Sequence, residues 1–165
     1  MGITDEPVGI RNGEELDAGV VGEYLRQNIP GLSGDIEIRQ FPSGFSNLTY
    51  LVRAGAREMV LRRPPFGKKA KTAHDMGREY RMLKALKPVF SYCPDPLVYC
   101  EDEAVMGCPF YVMERIHGII LRKDLPKGME LSPAGARTLC ERLVEVQYRL
   151  HSVDYAAVGL SDYGK

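Results

Sequence analysis

The sequence has no surplus of charge, no long apolar run and no closely paired cysteines, and each absence removes a class of function. Its 22 basic and 22 acidic residues cancel, so no net field draws it to nucleic acid or to an anionic membrane surface. No apolar stretch approaches the roughly 20 residues that a membrane-spanning helix needs. The opening residues, MGITDEPVGI, have neither the basic segment nor the apolar core of a secretory signal. Glu6 stands where a myristoylation signal carries Ser or Thr. Cys93, Cys100, Cys108 and Cys140 form no C-x-x-C pair, so reduced structural thiols are expected rather than a metal site or a disulfide framework. A cytoplasmic protein is the expectation, with no nucleic-acid or membrane partner. What remains is an ordinary globular composition, 44% hydrophobic and 27% charged, with neither internal repeat nor low-complexity tract.

The periodicity of the apolar residues divides the chain. Residues 1–13 read as a loose polar arm. From Glu14 to Ile29, apolar residues recur at three- and four-residue spacings, which predicts a helix ended by Pro30-Gly31. The period then changes to two. Strands are predicted over Ile36 to Phe41, Leu48 to Arg53 and Glu58 to Arg62, joined closely enough to form an antiparallel meander. Residues 66–71 read as a basic loop, and a helix is expected from about Thr72 to Lys87, stopped by Pro88. Leu97 to Cys100 and Phe110 to Met113 predict two further strands, separated by an acidic turn at Glu101 to Glu103 and a break at Gly107 to Pro109. Residues 117–131 carry little regular signal. Ser132 as N-cap, Pro133 in the first turn, and Leu139, Leu143, Val146 and Leu150 predict a final helix. The predicted class is α+β: a five-stranded antiparallel sheet with a helix inserted between the third and fourth strands.

Phosphoryl transfer on a small β-lobe needs a turn over the phosphates, a cation on the third strand, and an acid on the next helix to hold that cation. The turn at Pro42 to Asn47, the third-strand Arg62 and the helical Glu79 occur in that order. Each also has a plain reading, since Gly44 suits an ordinary hairpin and Arg62 and Glu79 suit a charged surface. Neither G-x-G-x-x-G nor the G-x-x-x-x-G-K-[ST] loop is present. Only the coincidence of order and spacing favours the phosphoryl-transfer reading.

Five blocks raise the specificity of that reading. They are Phe41 to Tyr50 (FPSGFSNLTY), Met59 to Pro65 (MVLRRPP), Arg78 to Leu83 (REYRML), Gly107 to Arg115 (GCPFYVMER) with Gly118, and Leu150 to Asp154 (LHSVD). Together they resemble the aminoglycoside phosphotransferase family, in the branch also found fused to acyl-CoA dehydrogenase-like domains. The resemblance runs from about Ile36 to Gly164. It implies a protein-kinase-like fold that uses ATP and Mg²⁺ to phosphorylate a small hydroxylated acceptor. It further implies an N-terminal arm and helix over 1–34, an ATP-binding lobe over 35–116, and the start of a second lobe over 117–165.

Carried over by position, Ser43, Gly44, Phe45, Ser46 and Asn47 would form the nucleotide-covering turn. Arg62 would be the third-strand cation, in a place where kinases at large carry lysine, and Glu79 its helical partner. Met113, Glu114, Arg115 and Ile116 would form the interlobe segment whose backbone receives adenine. The family's catalytic loop pairs His-x-Asp with a nearby Asn, followed by a second metal-binding Asp. His151 to Asp154 has one residue too many for that loop, Asp162-Tyr-Gly164 follows it too closely, and no Asn occurs after Asn47. No catalytic or metal-binding residue is therefore assigned; the expectation is a nucleotide-binding portion, inactive by itself, whose magnesium ligands lie elsewhere. The alternative is a non-catalytic nucleotide-binding or interaction module. The apolar stripe of the final helix is expected to seek a partner, including another copy of the chain.

Overall fold

Alternation with period two puts Met59, Leu61 and Arg63 on one side of the third strand and Val60 and Arg62 on the other, and the two-faced fold follows from it. In the computed structural model, which describes residues 6–42, 47–67, 75–121 and 123–163, helix α1 spans Ala18–Asn28, and strands β1, β2 and β3 span Ile36–Gln40, Leu48–Ala54 and Arg57–Arg63. Helix α2 covers Met76–Leu86, β4 Pro96–Cys100, α3 Glu103–Met106, β5 Phe110–Glu114 and α4 Pro133–His151. The five strands form one antiparallel sheet in the order β1-β2-β3-β5-β4. The α+β class with a helix between the third and fourth strands matches the expectation.

One face of the sheet holds the core. Leu48, Tyr50 and Val52 of β2 join Met59 and Leu61 of β3 and Phe110 and Val112 of β5, packed against Val21 and Leu25 of α1. Tyr24 of α1 meets Phe110 edge-on, with ring centroids 5.5 Å apart. The opposite face carries α2. Tyr80 stacks on Tyr99 at 5.6 Å and tilts toward Tyr111 at 6.4 Å. Tyr99 and Tyr111 are cross-strand partners of β4 and β5, so α2 sits over the sheet end where Arg62 pairs with Tyr111.

The structure corrects several expectations. The N-terminal arm is tied to the sheet edge: Val8 and Gln40 exchange backbone hydrogen bonds of 2.8 and 3.1 Å, and the Arg11 N–H donates to Gln40 Oε1. Helix α1 begins at Ala18 instead of Glu14. Asp17 caps it by accepting from the Gly19 and Val20 N–H groups, whereas Glu14 is engaged by Arg11 and Gln40. Helix α2 begins at Met76 with Asp75 as N-cap; the earlier start expected near Thr72, and most of the basic loop, fall outside the described residues. The expected acidic turn and break hold the short helix α3, with Asp102 as its N-cap and Gly107, at φ 76°, ending it. Ser132 caps α4 through the Gly135 N–H, in accord with expectation. No helix among the described residues is long and apolar enough to cross a membrane. Cys93, Cys100 and Cys108 are buried and Cys140 is exposed.

Candidate functional site

Thr49, Arg62 and Tyr111 are successive partners across β2, β3 and β5, so sheet pleating sets all three side chains on the α2 side. The first turn of α2 lowers Glu79 onto this row. Its Oε2 accepts from the Tyr111 hydroxyl at 2.9 Å and lies 3.5 Å from Arg62 Nη1, while its Oε1 accepts from the Asn47 side-chain amide at 2.8 Å. Sequence reasoning placed Arg62 and Glu79 together, and the structure brings them together. Asn47, expected in a phosphate-covering turn, directs its amide at Glu79. Ser43, Gly44, Phe45 and Ser46 lie outside the described residues.

Tyr111 was missed by sequence reasoning. Alternation along β5 could have found it, since Phe110 and Val112 face the core and Tyr111 and Met113 must then face the other way. Its hydroxyl is held above its ordinary pKa chiefly by burial; Arg62 opposes the shift and Glu79 adds to it. The phenol therefore stays protonated and donates. Arg62 is about one-third exposed at 32%, yet its Nε is enclosed without a hydrogen-bond partner. An enclosed, unsatisfied donor of a cationic group is costly unless an acceptor reaches it, and an anionic oxygen is the acceptor such a fork suits best.

A cavity of about 480 Å³ opens beside this row, lined by Phe41, Thr49, Val60 and Pro94 and by the chain from Met113 to Ile120. Thr49 is the cross-strand partner of Arg62, and Val60 lies two residues before it on the same face. An apolar recess thus adjoins a cation. Two of the expected interlobe residues commit their side chains to structure. The Glu114 carboxylate accepts from the Asp95 N–H and pairs with Lys87, and its own N–H donates to the Asp95 carbonyl. The Arg115 side chain, 8% exposed, pairs with Glu58 at 2.6 Å and Glu6 at 3.5 Å and lies over the Phe41 ring. Met113 and Ile116 line the recess.

The two aspartates weighed as catalytic-loop imitations have other surroundings. Asp154 Oδ1 accepts from the Ala156 and Ala157 N–H groups and so shapes the turn after α4. Asp162 sits in a single 3-10 turn, Ser161–Tyr163, whose Tyr163 carbonyl and hydroxyl accept from Arg78 and Arg81 of α2. No group of three His, Cys, Asp or Glu side chains among the described residues is arranged to hold a metal ion.

The profile of the family described as "Phosphotransferase enzyme family" (APH) matches residues 37–165. The chain belongs to this family. It is 35% identical to rat acyl-CoA dehydrogenase family member 11 over 168 aligned residues, covering 99% of this chain and 21% of that protein. With mouse acyl-CoA dehydrogenase family member 10 it shares 38% identity, over 81% of this chain and 12% of the relative. Among solved structures, a candidate aminoglycoside phosphotransferase from Ralstonia eutropha superposes with a TM-score of 0.75 at 32% identity, covering 92% of this chain and 43% of that one. The family's kinase-like architecture is therefore shared, and this phosphotransferase-family chain spans only about a fifth of the rat relative's length.

Proposed function

We propose that the chain is the ATP-binding portion of a small-molecule kinase that transfers the ATP γ-phosphate to a hydroxyl acceptor, and that it is inactive by itself. The observation that carries this reading is the Arg62–Glu79 pair, set on the same sheet face as the apolar recess. Bound ATP would supply the phosphoryl group. The recess, with Phe41, Val60, Met113 and Ile116 in its wall, suits a flat heteroaromatic base and excludes water from it. Arg62 would neutralise phosphate charge, its enclosed Nε providing one of the donors. Glu79, pinned from both of its oxygens, would keep the guanidinium from swinging away. Magnesium, which the family resemblance implies, would be held by ligands outside the described residues.

Calorimetric titration of the chain with ATP and with adenosine tests the reading. ATP is expected to bind more tightly than adenosine. Arg62→Ala should weaken ATP on the order of 10- to 100-fold, the loss of a charge-assisted hydrogen bond in a partly enclosed site, and leave adenosine unchanged. Failure of the unmodified chain to bind ATP, with no ATP-dependent rise in Tm, would falsify it.

A further inference from the structure

We infer that Asn47 is a positioning residue, which couples the start of β2 to helix α2 and fixes Glu79 in the orientation that presents Arg62 to the nucleotide phosphates. The inference rests on the nucleotide-binding reading above and assigns Asn47 a role other than direct contact with nucleotide. Three facts support it. The Asn47 side chain belongs to a buried residue, 7% exposed, and its Nδ2 donates to Glu79 Oε1 at 2.8 Å across 32 positions of sequence. The nearest charged contact of Glu79 is longer, 3.5 Å to Arg62 Nη1. Two neutral donors, Asn47 and Tyr111, therefore hold the carboxylate more closely than the cation does.

The geometry divides the work. Asn47 and Tyr111 occupy different oxygens of Glu79, so the carboxylate cannot rotate about its own axis without losing one of them. With its plane fixed, its Oε2 edge faces Arg62. A cation held at 3.5 Å keeps much of its hydrogen-bonding capacity for an anion, because a bidentate carboxylate–guanidinium pair would consume that capacity. Asn47 also immediately precedes Leu48, the first residue of β2. Asn47 thereby ties the start of β2 to the first turn of α2 through its hydrogen bond to Glu79.

A double-variant cycle on the chain tests this, read by titration with ATP and with adenosine. Asn47→Ala is expected to raise the Kd for ATP about tenfold, the usual consequence of removing one hydrogen bond to a charged group, and to leave the Kd for adenosine within twofold. In a Glu79→Ala background the same substitution should add nothing further. Should Asn47→Ala not fold, the isosteric Asn47→Asp sets one carboxylate against another and is expected to give the same selective loss for ATP. Equal losses for ATP and adenosine, or losses that add in the double variant, overturn the positioning role of Asn47 alone. An unmodified chain that binds no ATP overturns the nucleotide reading and this inference with it.

Discussion

Glu58, the second residue of β3, gathers basic side chains from three directions. It accepts from Arg53 at 2.7 and 3.0 Å and from Arg115 at 2.6 Å, and lies 3.3 Å from His117 Nε2. The hydrogen bond from Arg53 chiefly holds its carboxyl below the usual range, burial opposes that shift, and Arg115 adds to it. A carboxylate with a depressed folded-state pKa contributes stability above its unfolded value, and that contribution is lost as pH falls through the folded value. Glu58→Gln is therefore expected to cost about 1–3 kcal/mol at pH 7. The gap in Tm between variant and unmodified chain should close as the pH drops below about 4. A gap that stays constant down to pH 2 would show that Glu58 acts through shape rather than charge. At this scale Arg62 and Glu79 were legible, because each sits at a recognisable place in an element. Tyr111 and Glu58 were not, since their importance comes from neighbours brought in by other strands.

Helix α2 lies close against β4 because it carries Gly77 where a side chain would intrude. A Cβ there would stand 2.9 Å from the Tyr99 hydroxyl oxygen and 3.2 Å from its ring carbon, and Tyr99 is the ring on which Tyr80 stacks. Alanine at a helical glycine gains about 1 kcal/mol of helix propensity, but crowding a packed interface costs roughly 1–3 kcal/mol. Gly77→Ala is expected to lower Tm by a few degrees, as thermal unfolding would read. A rise in Tm would mean that α2 can shift away from β4 at no cost. Elements were legible where a cap and a period coincide, as at Ser132 and the four-residue spacings of α4. They were misread where an acidic side chain had two possible uses: Glu14 looked like the start of a helix and bonds the sheet edge, while Asp102 looked like part of a turn and caps α3.

Across the whole molecule the sheet and α4 differ in how they are held. The core face of the central strands is closed, with Tyr50, Val52, Met59 and Leu61 fully enclosed, whereas no residue of α4 is buried and Leu143, Val144 and Tyr148 are 66%, 63% and 72% exposed. A helix without tertiary cover opens at little more than the cost of its own backbone hydrogen bonds. Hydrogen exchange followed by mass spectrometry is expected to show the β2–β3 amides among the slowest and the α4 amides exchanging orders of magnitude faster. Equal protection of the two would contradict the exposure of α4. By itself the sequence determined the fold class, the two-faced strands and the candidacy of Arg62 and Glu79, because caps and periodicities are encoded in residues a few positions apart. Only tertiary structure decided that β5 lies between β3 and β4, that Tyr111 joins the Arg62 row, and that Asn47 turns its amide to Glu79. The two hydrogen bonds to Glu79 each span 32 positions, and no local pattern specifies which of many distant donors a half-buried carboxylate will meet.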